Sequence, residues 1–162
     1  MTNEDNTLRR AAVIGASRGL GAALVASLLD QEVTTLGVAR KPSQAKCQWL
    51  KADVSQVEGQ TGTLAALAEF DPQTVICTVG GGPFGPFGDK GWADHNWAYQ
   101  VSLLFPARLI HWATQGAKGL KQLVVVGSSV AEDQTDPMAA SYSSAKHGLR
   151  GLMATVIAEK PT

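Results

Sequence analysis

Residues 11–21 read Ala11-Ala12-Val13-Ile14-Gly15-Ala16-Ser17-Arg18-Gly19-Leu20-Gly21. Four apolar residues lead into three spaced glycines, and Leu20, Leu24 and Leu28 then recur every four residues, which is one stripe of a helix. The glycines therefore sit between a strand over about 10–15 and a helix over about 19–30. An ordinary turn from strand to helix also uses glycine. The flanking strand and helix favour a nucleotide, because backbone N–H groups and the helix dipole at such a junction hold a phosphate. In that reading Gly15 permits the tight turn, Gly19 lets the backbone approach a pyrophosphate, and Gly21 lets the helix pack close to the strand.

Outward from this loop, Val33-Thr34-Thr35-Leu36-Gly37-Val38 reads as a second strand, stopped by Arg40-Lys41-Pro42. Trp49 to Asp53 reads as a short third strand, and Leu64, Leu67 and Ala68 mark a helix across 56–69. Val75 to Val79 is a fourth strand that runs into Gly80-Gly81-Gly82. Pro83-Phe84-Gly85-Pro86-Phe87-Gly88 is a loop, either lining a substrate pocket or lying on the surface. A long helix is predicted over 94–116, kinked by the internal Pro106. Leu123 to Gly127 is a fifth strand, and 141–159 a last helix that Pro161 closes. Residues 1–8 read as a loose polar tail. Short apolar strands alternating with helices predict one α/β domain over 1–162, a Rossmann-like doubly wound parallel sheet with strand order 3-2-1-4-5.

Ligands of such sheets lie at the C-terminal ends of the strands. Strand five is followed there by Ser128-Ser129, and the last helix opens with Tyr142-Ser143-Ser144-Ala145-Lys146. Tyr142 and Lys146, four apart, share a helical face, so a phenol and an ammonium come together near the nucleotide cleft. Bringing a phenol from about 10 toward neutrality takes roughly three units, about 4 kcal/mol, which a neighbouring cation and a cationic nicotinamide ring could supply. Ser129 could hydrogen-bond a substrate oxygen.

These motifs resemble the short-chain dehydrogenase/reductase family. Gly15 to Gly21 is similar to its glycine motif, Tyr142 to Lys146 to its Tyr-x-x-x-Lys, and Ser129 stands thirteen residues before the tyrosine, the family's usual spacing. Asp53-Val54 resembles the pair that contacts adenine. The resemblance implies reversible hydride transfer between a nicotinamide and a carbonyl or alcohol. Tyr142 would be the general acid/base. Lys146 would lower its pKa and bind the nicotinamide ribose, and Ser129 would position the reacting oxygen. It also implies cofactor contacts from Gly15, Ser17, Arg18, Gly19, Leu20, Gly21, Arg40, Asp53, Val54, Thr78, Val79, Gly80, Tyr142 and Lys146.

Three departures stand out. The family's Asn-Asn-Ala-Gly appears as Cys77-Thr78-Val79-Gly80, where Thr78 could do part of the asparagines' work. The family's active-site asparagine aligns with Ser102, whose backbone carbonyl could still hold a proton-relay water while the side-chain role is lost. Family members also continue beyond this last helix, with another strand and a segment that closes over the substrate. The resemblance therefore predicts residues past Thr162 that add a strand beside strand five. Residues 1–162 alone should show five parallel strands, a formed glycine loop and an open substrate side. Two functions remain: an NADP-dependent oxidoreductase, or a nucleotide-binding sensor or assembly protein without catalysis.

Ala39 and Arg40 end strand two where an NAD enzyme would carry an acid for the ribose 2′-OH, so NADP is favoured over NAD, with Arg18 as a second cation. A net charge of zero gives no basic surface for nucleic acid. Cys47 and Cys77 lack disulfide or zinc spacing, and His95, His111 and His147 read as surface or capping residues, so no metal is expected. No apolar run reaches the roughly 20 residues a membrane span needs, and the polar start differs from a signal peptide, which points to the cytoplasm. Trp97, Trp112, Leu152 and Val156 add apolar surface to the last two long helices, the pair that forms homodimers or homotetramers in the family.

Overall fold

The computed structural model describes residues 9–132 and 136–159; the expected N-terminal tail and the closing Pro161 lie outside the described residues. Five strands, β1 (Arg10–Ile14), β2 (Thr34–Ala39), β3 (Gln48–Lys51), β4 (Thr74–Cys77) and β5 (Gln122–Val125), form one parallel sheet in the order β3-β2-β1-β4-β5. This is the Rossmann-like order expected of the strand and helix pattern. β1 lies at the centre, with Ala12 opposite Leu36 and Val75, and Ile14 opposite Val38 and Cys77.

The side chains of β1 alternate between two apolar layers. Ala12 and Ile14 join Leu36, Val38, Val75 and Cys77 against Leu67 of α2 (Val57–Phe70) and Phe105 and Leu109 from the helix before β5. Ala11 and Val13 join Val25 and Leu28 of α1 (Gly19–Asp30) on the other face. Because β1 is covered on both faces, Ala11 to Ile14 are fully buried and its sequence is continuously apolar. At the β5 edge the burial alternates instead, and Val124 is exposed.

Two elements differ from the sequence reading. Strands and helices do not alternate throughout, because residues 40–47 join β2 to β3 without a helix. Trp49 occupies that side of the sheet. Its ring lies over Gly37, where an added Cβ would come within 2.7 Å of it, and its Nε1–H donates to the Ala45 carbonyl at 3.0 Å. The helix expected over 94–116 is in fact α3 (Trp92–Tyr99), a π-helical turn at Gln100–Leu104, and α4 (Phe105–Thr114). Pro106 sits in the first turn of α4, where a missing N–H is tolerated, and has none to offer the Ser102 carbonyl four residues back. The last helix, α5, spans Ala140–Ala158. Among the described residues no helix is long and apolar enough to cross a membrane.

Candidate functional site

The C-terminal ends of β1, β2 and β4 open into a cleft of about 710 Å³. Its walls include Gly15, Ser17, Arg18, Gly19, Leu20 and Gly21 from the glycine loop, and Arg40, Asp53, Val54, Thr78, Val79 and Gly80 from the loops after β2, β3 and β4. Every cofactor-contact residue expected from the sequence outside α5 thus lines one cavity.

Local geometry explains the glycines. Gly15 has φ +91°, a left-handed conformation, and a side chain there would come within 2.6 Å of Thr78 Oγ1. At Gly21 an added Cβ would sit 2.1 Å from the Gly15 carbonyl oxygen, so helix and loop touch backbone to backbone. Thr78 ties the junction together, its hydroxyl donating to the Ile14 carbonyl at 2.9 Å while its own N–H donates there as well. Asp53 accepts from the N–H and the hydroxyl of Ser55, which fixes the turn into α2.

The second cluster meets the first at Gly80-Gly81-Gly82. The Lys146 ammonium donates to the Val126 carbonyl at 2.8 Å and stands 3.1 Å from the position of a Cβ at Gly80. It lies 5.8 Å from the centre of the Tyr142 ring. Gly81 is held at both its backbone groups by Ser102, whose Oγ accepts from the Gly81 N–H at 3.0 Å and donates to the Gly81 carbonyl at 2.8 Å. A Cβ at Gly82 would approach Tyr142 Cβ to 2.9 Å. The Ser102 hydroxyl thereby clamps this loop. Burial holds the Lys146 ammonium below the ordinary lysine range, opposed by the nearby Cys77. Burial likewise pushes the Cys77 thiol up to about 11.

Ser129 opens a short 3-10 turn, Ser129–Ala131, that α5 pins down: Ser143 Oγ donates to the Val130 carbonyl at 3.1 Å and Arg150 to the Ala131 carbonyl at 2.7 Å. Because Ser143 follows Tyr142, these bonds carry the Ser129 turn alongside the tyrosine. Ser129 is exposed and Tyr142 half-buried, so this side of the cleft is open.

Four placements escaped the sequence reading. His95 is no surface residue but 4% exposed, bonded on both ring nitrogens. Trp97 lines the cleft with its ring 3.0 Å from a Cβ position at Gly81, and Trp112, half-buried, packs against the core. Arg150 acts on the Ser129 turn, and an arginine on a helix gives no such sign in sequence.

A parallel sheet in this order, with a glycine-loop cleft joined to a Tyr–Lys helix, is a Rossmann-like arrangement. The chain belongs to the short chain dehydrogenase family, whose model matches residues 9–161. No curated protein matches it. Among solved structures it is similar to a short-chain dehydrogenase/reductase from Burkholderia vietnamiensis, at 26% identity and TM-score 0.80 over 91% of this chain and 76% of that one. It also shares the fold of a 4-hydroxyisoleucine dehydrogenase complexed with NADH, at 20% identity and TM-score 0.83, covering 93% and 69% of the two chains. A short chain dehydrogenase from Leptospira borgpetersenii with bound NAD+ matches at 19% identity and TM-score 0.79, over 93% and 65%. Membership places the chain among nicotinamide-dependent oxidoreductases.

Proposed function

We propose that the chain is a single dinucleotide-binding domain of an NADP-dependent oxidoreductase that interconverts a small carbonyl compound and its alcohol. The observation that carries the reading is the Gly80–Gly82 loop, which touches Lys146, Ser102 and Tyr142 and so joins the nucleotide cleft to the Tyr–Lys helix. The cleft fits a dinucleotide on its own terms, because Gly19 at the start of α1 has open space where a side chain would stand, which leaves room for a pyrophosphate. Arg18, Arg40 and Lys41 line the same cavity, and β2 ends in Ala39 rather than an acid, which favours a 2′-phosphate.

A nicotinamide cofactor held in this cleft would supply hydride chemistry at a carbonyl carbon. Ser129 donates a hydrogen bond to the carbonyl oxygen and holds it before Tyr142. The Tyr142 hydroxyl gives that oxygen its proton, leaving an alcohol and a tyrosinate. Lys146, whose ammonium lies 5.8 Å from the centre of the Tyr142 ring, would stabilise the tyrosinate and would hold the nicotinamide ribose, and the Ser102 carbonyl would accept from a water that returns the proton. Tyr142→Phe should abolish NADPH-dependent turnover across a panel of aldehydes and ketones while cofactor affinity stays near wild type. A variant that keeps most of its activity refutes the assignment. A wild type that binds NADPH but reduces nothing supports a sensor or assembly role instead. We also propose a cytoplasmic protein that self-associates through α4 and α5. The exposed Leu104 beside them and Ile157 on α5 support that surface, and sedimentation velocity tests it.

A further inference from the structure

His95 is a buried titratable side chain that the proposed chemistry does not use. Its Nε2 lies 3.1 Å from the Phe87 carbonyl, which can only accept, so in the neutral ring that nitrogen carries the proton. Nδ1 then accepts from the hydroxyl of Ser141, the residue before Tyr142. The ring also stacks on Phe87, with centroids 4.3 Å apart, and meets Trp92 at 6.1 Å. One side chain thus fastens the loop over residues 83–89 to the first turn of α5. The loop has a second tie, from the Gly85 N–H to the Met138 carbonyl at 2.8 Å, and it leaves Tyr142 at Gly82.

What the loop presents is apolar. Phe84 is 68% exposed, Phe87 52% and Trp92 69%, with Met138 at 40% beside them. Four large apolar side chains exposed together are unusual on a surface with no ligand to meet. The loop that carries Phe84 and Phe87 leaves Tyr142 at Gly82 and is tied to the start of α5, where Ser141 precedes Tyr142.

We propose that His95 is a positioning residue that holds the 83–89 loop as an apolar wall beside Tyr142, so that the site selects bulky, apolar, ring-bearing carbonyl compounds over short aliphatic ones. The inference rests on the oxidoreductase reading above for its substrate half and on geometry alone for the anchoring. Loss of the two hydrogen bonds frees the loop at Phe87, and the wall no longer keeps a fixed distance from the reacting oxygen. Discrimination by an apolar wall is worth about ten- to a hundredfold in kcat/KM, and that is what a loosened wall forfeits.

The test compares wild type with His95→Phe, which keeps a ring but loses both hydrogen bonds, and with His95→Gln, which can donate to Phe87 and accept from Ser141. Each is assayed with NADPH against an aryl ketone and a short aliphatic aldehyde, and amide exchange is followed at Gly85 and Phe87. His95→Phe should lower the kcat/KM ratio of aryl ketone over aldehyde about tenfold, through KM of the ketone, and speed exchange at Gly85. His95→Gln should recover most of both. An unchanged ratio, or equal losses on both substrates, overturns the selectivity. Unchanged exchange in His95→Phe overturns the anchoring. If wild type reduces no carbonyl, the oxidoreductase reading and the substrate half fail together, while the exchange data still decide whether His95 holds the loop.

Discussion

Removing the hydroxyl of Ser102 should unfasten the loop on which the two halves of the site meet. Ser102 is fully buried and gives Gly81 both a donor and an acceptor, at 2.8 and 3.0 Å. Each intramolecular hydrogen bond contributes about 1 kcal/mol net, so Ser102→Ala loses about 2 kcal/mol. The side chain shrinks by one oxygen, which leaves little cavity to add to that figure. In a chain of 162 residues about 2 kcal/mol lowers the melting temperature by roughly 4–8 °C. Urea unfolding followed by tryptophan fluorescence should show a lower midpoint at unchanged slope, since the surface exposed on unfolding is the same. Ser102→Cys, with similar volume and a weak donor, should behave like the alanine variant. Turnover should fall more than NADPH affinity, because Gly82 lies against Tyr142 while the phosphate loop is held elsewhere. Wild-type midpoints in both variants would refute the clamp.

Arg40→Ala should weaken NADPH binding about ten- to a hundredfold, as expected for a charged hydrogen bond, and leave NADH binding unchanged by calorimetry; equal affinities in wild type would refute the preference. Gly21→Ala should destabilise, because its Cβ meets backbone at 2.1 Å and overpacking of about 1–3 kcal/mol outweighs about 1 kcal/mol of helix propensity. Gly62→Ala is the contrast: it lies exposed on α2 with nothing within 4 Å, and should stabilise by about 0.4–1 kcal/mol in the same unfolding assay. The Cys77 thiol, raised by burial from 9.0 to about 11, contributes stability that is fully present below pH 9 and lost as pH rises through 11. Urea midpoints between pH 8 and 11 should therefore fall faster in wild type than in Cys77→Val, and parallel curves would refute it.

The architecture was readable because the central strands are short and apolar and Gly15 and Gly21 each answer a backbone need, so local pattern and global fold agree. What escaped reading depends on contacts between distant segments. The π-helical turn at Gln100–Leu104 inserts no residue type that periodicity could detect, and Pro106 marked the neighbourhood without its form. The missing helix between β2 and β3 is replaced by Trp49, whose role needs Gly37 on another strand. A lone histidine on a mixed helix face gives no sign of burial, and His95 becomes legible only when Ser141 and Phe87 are brought to it. The residues of the glycine loop and of the Tyr–Lys helix were legible by spacing, whereas the clamp joining them, from Ser102 to Gly81, was not.

The junction at Thr78 has a consequence for how the protein assembles. The end of β1, the start of α1 and the end of β4 meet where Thr78 reaches back 64 positions to Ile14, and the absence of side chains at Gly15 and Gly21 lets these backbones touch. The glycine loop therefore cannot be completed while the first forty residues fold alone; it awaits a parallel pairing of high contact order, which is slow to form. An N-terminal fragment ending after β2 should have no measurable affinity for a dinucleotide. In the whole domain, a ligand in the loop grips the centre of the sheet, so it should raise the free energy of global unfolding rather than that of a local opening.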